Sequence, residues 1–289
     1  ENIVYSINYD STYGKLDDKF KVIDNNFIQN QKSKIKITNY KDISQLNLYG
    51  VDILIDASGQ KTDLNILINL KVDKIILTHP QKDADINIVL GVNEDKLDLE
   101  SHKIISTSSC NATALLPALK LIDDKKEILC GDIVTIHPLL NHQRVLDGSF
   151  VQSATRDVDL NFEFGRSSTQ NIIPSQTTTI KACSYVLEKF NSNLISSNSL
   201  RVPTDTVGVI NVTLFTKEIS SKDEIKNLFL EFEKNQKFPI VLNNFEALVS
   251  SDFKKEKFTT IIDHRFLEVK NNMIKLLLWY DNEWGYASK

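Results

Sequence analysis

The stretch SSCNATALLPALKLIDD, residues 108–124, sets Cys110 among small polar residues at the start of an apolar helical pattern. A cysteine attacks carbon only as the thiolate, and a helix N-terminus together with a nearby imidazolium lowers the thiol pKa toward that form. A helix starting at Asn111 puts Cys110 at its mouth. His137 lies in the next apolar run, CGDIVTIHPLL (130–140), and a strand running back along the helix brings it beside the sulfur. Two readings fit this spacing: a nucleophile with its base, or a packed thiol, since free cysteine is among the most buried residue types. His79, His102, His142 and His264 read as surface or loop positions, and no set of Cys, His and carboxylate side chains has metal-ligand spacing.

A chain of 289 residues is long enough for two domains, each with its own core. The composition, 41% hydrophobic and 25% charged with a formal net charge of −4, is ordinary for a globular protein. It gives no electrostatic case for nucleic acid or an anionic membrane as partner. The longest apolar runs, such as IKLLLWY (274–280), are strand length and far short of the roughly 18 residues that span a bilayer. The first twenty residues carry no signal-peptide core. The sparse, odd set Cys110, Cys130 and Cys183 reads as free thiols in a reducing compartment, which predicts a cytoplasmic protein. The chain opens at Glu1, has Met273 as its single methionine and stops at GYASK, and so reads as a segment of a longer protein.

Which elements must position Cys110 follows from the periodicity. VDILIDASG (51–59), DKIILTHP (73–80), INIVLGVN (86–93) and HKIISTSS (102–109) are apolar runs ending in small-residue loops. Such runs predict parallel strands covered on both faces, with QKTDLNILINLKV (60–72) as a crossover helix. This is a doubly wound α/β pattern, whose ligands sit at the carboxyl ends of the strands. Beyond Cys110 the pattern predicts a helix over 111–124, a strand over 130–140 and a functional loop over 141–170, too long for a plain connector. A helix follows over 177–191, then a strand over 199–218 broken near Pro203. A capped helix over 221–236 and an antiparallel hairpin over 259–281, turning at 270–272, complete an α+β half.

Taken in order, the motifs resemble the phosphorylating glyceraldehyde-3-phosphate dehydrogenases and their relatives, the erythrose-4-phosphate dehydrogenases. YDSTYGKL (9–16) resembles YDSTHGxF, and STSSCNATALLP (106–117) resembles the family's nucleophile segment. TIHPLLNHQRVLDG (135–148) resembles the segment of the catalytic histidine. GRSSTQNIIPSQTTTIKA (165–182), LRVPTDTVGVINVT (200–213) and WYDNEWGYASK (279–289) resemble three further family stretches. The resemblance covers essentially the whole chain. It implies a Rossmann-like α/β NAD-binding domain over 1–109, with 282–289 returning to it, and an α+β catalytic domain with a mixed or antiparallel sheet over 110–281.

The activity implied is oxidation of an aldehyde through a thiohemiacetal and then a thioester on Cys110, with His137 as general base and inorganic phosphate as acyl acceptor. Arg201 matches the arginine that grips the substrate phosphate. Ser109, Asn111, Leu140, Thr177 and Thr178 fall at substrate and phosphate positions. Asn282 matches the residue that orients the nicotinamide amide, with Tyr286 in the same contact, and Ser58, Gly59, Thr78 and Pro80 match loops lining the cofactor cleft. The cofactor implied is NAD, and the segment that separates NAD from NADP is not among these residues. The partners implied are a sugar-phosphate aldehyde, phosphate and further copies of the chain in a homotetramer.

The departures bear on substrate and acceptor. The family's glycine-rich βα unit is missing from this sequence, which predicts weak dinucleotide binding by these residues alone. Asn111 replaces a threonine at the phosphate site, Leu140 replaces a threonine of the glyceraldehyde enzymes, and Thr178 replaces a glycine. Leu140 and THP (78–80) lean toward the erythrose-4-phosphate group. Ala114 replaces a second, non-catalytic cysteine, and the loop from Arg144 to Asn171 is longer than usual. Weakened anion sites predict a high Michaelis constant for phosphate. A non-catalytic scaffold would need none of Cys110, His137, Arg201 and Asn282, so their joint presence argues for an enzyme.

Overall fold

The computed structural model describes residues 1–60, 63–149 and 162–289. The chain divides into two compact units, Glu1–Gly50 and Val51–Lys289. In the first, helix α1 (Asn2–Asn8) leads into the antiparallel pair β1 (Tyr9–Asp10) and β2 (Gly14–Lys15). The antiparallel strands β3 (Lys21–Val22), β4 (Phe27–Gln29) and β5 (Lys34–Lys36) follow. Buried Asn8 fastens this unit by exchanging two hydrogen bonds with the backbone of Phe20, each 2.8 Å long.

The second unit opens with a four-stranded, wholly parallel sheet. Its strands β6 (Ile53–Asp56), β7 (Lys74–Leu77), β8 (Ile86–Asn87) and β9 (Ile104–Ser106) lie in the order β6-β7-β9-β8. Central β7 buries Ile75 and Leu77 completely, as the apolar runs predict. Edge strand β6 does not follow: Ile53 is 54% exposed and Ile55 59%, so it is not covered on both faces. The crossover helix α2 (Leu64–Ile68) is shorter than the 60–72 expected. Asp63 caps it, accepting from Asn65 N, and residues 61–62 of the expected helix lie outside the described residues. The strand expected over 86–93 is cut to β8 because Asn93 folds back. Its side chain donates to Asn87 O at 2.9 Å and accepts from Val89 N at 3.0 Å, closing a turn around Gly91.

Helix α3 (Cys110–Lys126) runs the length of the second half. Ser109 caps it, and Lys125 and Lys126 sit in its last turn, where they complement the macrodipole. Pro117 cannot bond back to the Thr113 carbonyl. The Thr260 hydroxyl compensates, lying 2.8 Å from Ala114 O and 3.5 Å from Thr113 O.

The remaining strands are β10 (Ile128–His137), β11 (Ile173–Ser175), β12 (Ile195–Arg201), β13 (Gly208–Thr216), β14 (Val241–Asn244), β15 (Thr260–Asp263), β16 (Glu268–Lys270) and β17 (Met273–Tyr280). They form one mixed sheet, ordered β11-β12-β10-β13-β17-β15-β14 with β16 also on β17. Helices α3, α4 (Thr179–Val186) and α5 (Lys222–Asn235) share a single core with its inner face. In β17 the alternation is strict: Ile274, Leu276, Leu278 and Tyr280 point in. A short helix α6 (Trp284–Ala287) follows it.

Three expectations change here. The strand over 199–218 is two strands, and they are not neighbours, because β10 lies between β12 and β13. The first arm of the 259–281 hairpin is split by a 3-10 turn at His264–Phe266, leaving β16 and β17 as the hairpin. The 130–140 strand ends at His137, where Pro138 follows. The loop expected over 141–170 has its middle, 150–161, outside the described residues. Its two legs are bonded together, Gly148 N to Gly165 O and Ser168 N to Arg144 O, both at 2.8 Å.

Candidate active site

Strand β9 turns sharply into α3 through two residues of opposite conformation. Ser108, fully buried, has φ +60, a left-handed value uncommon outside glycine. Its amide donates to the Ser106 hydroxyl at 3.1 Å, and that hydroxyl donates to His79 O at 2.8 Å. Ser109 is extended and caps Ala112 N at 3.2 Å, so Cys110 becomes the first residue of a long helix. The sulfur is half-buried and lies 3.6 Å from Asn111 Oδ1. Cys183 is fully buried, which pushes its thiol up, and Cys130 is exposed on the sheet. Neither has a helix terminus to favour its anion.

His137 and Arg201 end adjacent parallel strands and are direct partners in register. On the other side of β10 the ladder ends at Ile136–Val209, and Gly208 pairs with Tyr280 of β17. Arg201, His137, Gly208 and Tyr280 therefore form a row across the end of the sheet, on the face that packs against α3. Arg201 and His137 are 4% and 5% exposed. His137 Nδ1 lies 3.0 Å from Pro138 O; a carbonyl only accepts, so this nitrogen carries a proton and proton exchange at the ring falls to Nε2.

Tyr280 connects this row to the helix mouth. A Cβ on Gly208 would stand 2.4 Å from its ring and hydroxyl, so the missing side chain lets the ring lie there. Burial keeps the Tyr280 phenol far above its ordinary pKa, a charge on Cys110 raises it further, and the Arg201 charge opposes both. The hydroxyl thus lies within electrostatic reach of both groups. It donates to Asn111 Oδ1 at 2.5 Å. Asn111 Nδ2 donates to Thr179 Oγ1 at 3.0 Å, and Thr179 Oγ1 lies 2.6 Å from Thr177 Oγ1. Thr178, between them, is exposed at the N-cap of α4, and Leu140 is tied through its amide to Gln143 Oε1 at 2.8 Å.

The loops on the other side of Cys110 come from the parallel sheet. Ser58 and Gly59 follow β6, with Ser58 Oγ donating to Asp56 Oδ1 at 2.7 Å and Gly59 at φ +68. Thr78 and half-buried Pro80 follow β7, and both Thr78 N and Oγ1 donate to Asp56 O at 3.1 Å. Tyr286 of α6 reaches back to this edge, 2.6 Å from Thr107 Oγ1 and 3.3 Å from Ser108 O. Burial pushes its phenol up to about 12, opposed by the Thr107 bond and aided by a charge on Cys110. Asn282 Oδ1 accepts from Val207 N at 3.2 Å and Thr206 Oγ1 at 3.3 Å, which fixes its amide with Nδ2 still to donate.

One end of the mixed sheet thus gathers Cys110, Ser109, Asn111, Thr177, His137 and Arg201 by register, capping and hydrogen bonding. Ser58, Gly59, Thr78 and Pro80 sit apart from these on the carboxyl ends of the parallel strands. Tyr280, Gly208 and Thr179 are additions to the residues read from the sequence. Tyr280 was legible as the last inward position of an alternating strand; the Thr179 bond to Asn111 joins residues with no sequence relation. A thiol at a helix N-terminus, an imidazole and a buried guanidinium suit nucleophilic attack on a carbonyl of an anionic substrate. Among the described residues no group of three or more His, Cys, Asp and Glu side chains is placed to hold a metal, and no helix is long and apolar enough to cross a membrane.

Residues 109–282 match the family described as glyceraldehyde 3-phosphate dehydrogenase, C-terminal domain. The chain is 31% identical to glyceraldehyde-3-phosphate dehydrogenase 2 of Bacillus subtilis, over 100% of its own length and 84% of the relative's. It is 32% identical to glyceraldehyde-3-phosphate dehydrogenase of Salmonella typhimurium, over 100% of the chain and 86% of that protein. Glyceraldehyde-3-phosphate dehydrogenase 1 of Kluyveromyces marxianus is 33% identical, over 99% of the chain and 84% of its own length.

Proposed function

The chain belongs to the glyceraldehyde-3-phosphate dehydrogenase family, and we propose that it is an oxidoreductase that converts glyceraldehyde 3-phosphate, with NAD and inorganic phosphate, to the acyl phosphate. The carrying observation is the row Arg201–His137–Gly208–Tyr280 facing the Cys110 end of α3. Residues 1–109 with 282–289 make the cofactor half in this reading and 110–281 the catalytic half. The parallel sheet before Cys110 and the family match over 109–282 support that division.

The Cys110 thiolate attacks the aldehyde carbon. His137 Nε2 takes the thiol proton, gives it to the developing oxyanion and takes it back as base when the thiohemiacetal is oxidised to the thioester. Arg201, buried and rigidly placed at a strand end, holds the substrate phosphate as a planar fork of donors. Asn282 Nδ2 suits a carboxamide oxygen, so Asn282, Tyr286, Ser58, Gly59, Thr78 and Pro80 would hold NAD, which supplies the two-electron oxidant when bound. Ser109, Asn111, Thr177 and Thr178 border the acyl acceptor, and Leu140 the substrate phosphate. The reading carries a cytoplasmic homotetramer with it.

A second reading, erythrose 4-phosphate as substrate, rests on Leu140, which stands where the resembled glyceraldehyde enzymes carry a threonine and the erythrose-4-phosphate relatives an apolar residue. The test follows NADH formation by the full-length protein with each sugar phosphate, with and without inorganic phosphate, and identifies the product. Phosphate-dependent reduction of NAD with glyceraldehyde 3-phosphate is expected. Absence of reduction with both aldehydes would overturn the proposal, and preference for the four-carbon substrate would select the second reading.

A further inference from the structure

We infer that Thr179 and Tyr280 are positioning residues for the acyl-transfer step, acting on Asn111 and Thr177 so that these two present donors to the acyl acceptor. The inference rests on the reading above, in which a thioester on Cys110 is passed to phosphate.

The direction of every bond in the chain Tyr280–Asn111–Thr179–Thr177 follows from its ends. Tyr280 is 1% exposed, and its hydroxyl donates to Asn111 Oδ1. An amide oxygen only accepts, so the amide is fixed with its nitrogen toward Thr179. Asn111 Nδ2 spends one N–H on Thr179 Oγ1 at 3.0 Å. Thr179 is 2% exposed, and Thr177 Oγ1 at 2.6 Å is the one acceptor its own proton meets among the described residues, so the bond runs from Thr179 to Thr177. Thr177 Oγ1 accepts a second bond, from Thr179 N at 3.2 Å. Both lone pairs of the Thr177 hydroxyl are then occupied, and its hydrogen is left for a ligand. Asn111 has one N–H left as well.

Both remaining groups are therefore donors, and both lie beside Cys110. Such a pair suits an oxyanion, and neither group of the pair gives a lone pair to a water or an amine that must lose a proton to attack. In the transfer itself a phosphate oxygen bonds to the acyl carbon, the carbon–sulfur bond breaks and the electron pair returns to Cys110 as thiolate. Thr177 and Asn111 touch the incoming oxyanion. Thr179 and Tyr280 do not; they decide which atoms of those two side chains face it.

The experiment uses the full-length enzyme. Thr179→Ala removes the proton that occupies Thr177, and Tyr280→Phe removes the donor that orients the amide. One hydrogen bond of about 1–1.4 kcal/mol corresponds to a change of about five- to tenfold. Each variant is expected to raise the KM for phosphate by about that factor and to leave kcat at saturating phosphate within about twofold. The first-turnover burst of NADH, which precedes phosphate entry, should keep its amplitude. Thr179→Ser, retaining the hydroxyl, should restore the KM for phosphate. An unmoved KM for phosphate in both alanine and phenylalanine variants, beside an active parent enzyme, overturns the inference. So does an equal fall in burst and steady-state rates that serine fails to rescue, since that marks a packing role. A parent enzyme that forms no NADH sinks instead the activity on which the inference stands.

Discussion

At Cys110 the ionisation of a single atom decides whether the site does chemistry. An alcohol in the same place stays protonated at neutral pH, so Cys110→Ser is expected to abolish NADH formation from any aldehyde while leaving the fold intact. His137→Asn keeps a polar side chain but removes the basic nitrogen; a fall in kcat of about 10²–10⁴ is expected. Pre-steady-state kinetics on both variants checks this. A serine variant with more than a small fraction of the parent activity would remove Cys110 from the nucleophile's role. The Asn111 carbonyl lies 3.6 Å from the sulfur, at a helix terminus whose field favours the anion.

Among the elements, α3 sets the position of the sulfur, and its weakest turn lies around Pro117. Pro117 frees the Thr113 carbonyl, and the Thr260 hydroxyl of β15 lies 3.5 Å from it and 2.8 Å from the neighbouring Ala114 carbonyl. Thr260→Val keeps the shape and deletes that donor. The variant should lose about 1–3 kcal/mol of unfolding free energy, the cost of a buried acceptor left without its partner. Urea denaturation monitored by circular dichroism measures it, and an unchanged midpoint would mean that the helix satisfies those carbonyls without β15. Turnover per folded molecule should change little, because the first turn is held separately by the Ser109 cap.

For the whole molecule, the pH dependence of stability has an identifiable source away from the site. His264 is 5% exposed, stacked on Phe245 at 4.5 Å, and its Nε2 lies 2.5 Å from Asn243 Oδ1. Burial, reinforced by the charges of Lys226 and Lys222 and opposed by Asp263, holds its pKa at about 4. The unfolded chain takes up this proton near pH 6.5 and the folded protein only near 4. The stability contributed by neutral His264 is therefore complete above about pH 6.5 and is lost as pH falls toward 4. Tm should drop across that window, and His264→Gln should flatten the drop. Carboxylates such as Asp205, held low by the Lys254 hydrogen bond, act below the window. An identical slope in the variant would assign the effect to other groups.

Much of this protein was legible before any coordinates. The cysteine before an apolar helix, the strand carrying His137, the parallel strands before them and the closing WYDNEWGY are local patterns, and local patterns fix periodicity, caps and motif order. Residue types at Cys110, His137, Arg201 and Asn282 carried the proposed chemistry. What the tertiary structure decided was adjacency across the sheet. Insertion of β10 between β12 and β13 brings Arg201 level with His137, and no periodicity records which strands become neighbours. The split of the 259–281 hairpin likewise depends on Asp263, whose side chain accepts from Arg265 and Trp279 and caps the intervening turn. Gly208 reads in the sequence as a small residue in a strand; only the Tyr280 ring beside it explains the choice. Asn111 read as a weakened phosphate ligand because its type was visible and its partners were not. Tyr280 and Thr179 fix its orientation from positions far along the chain, and hydrogen-bond direction is a property of that three-dimensional contact rather than of any one residue.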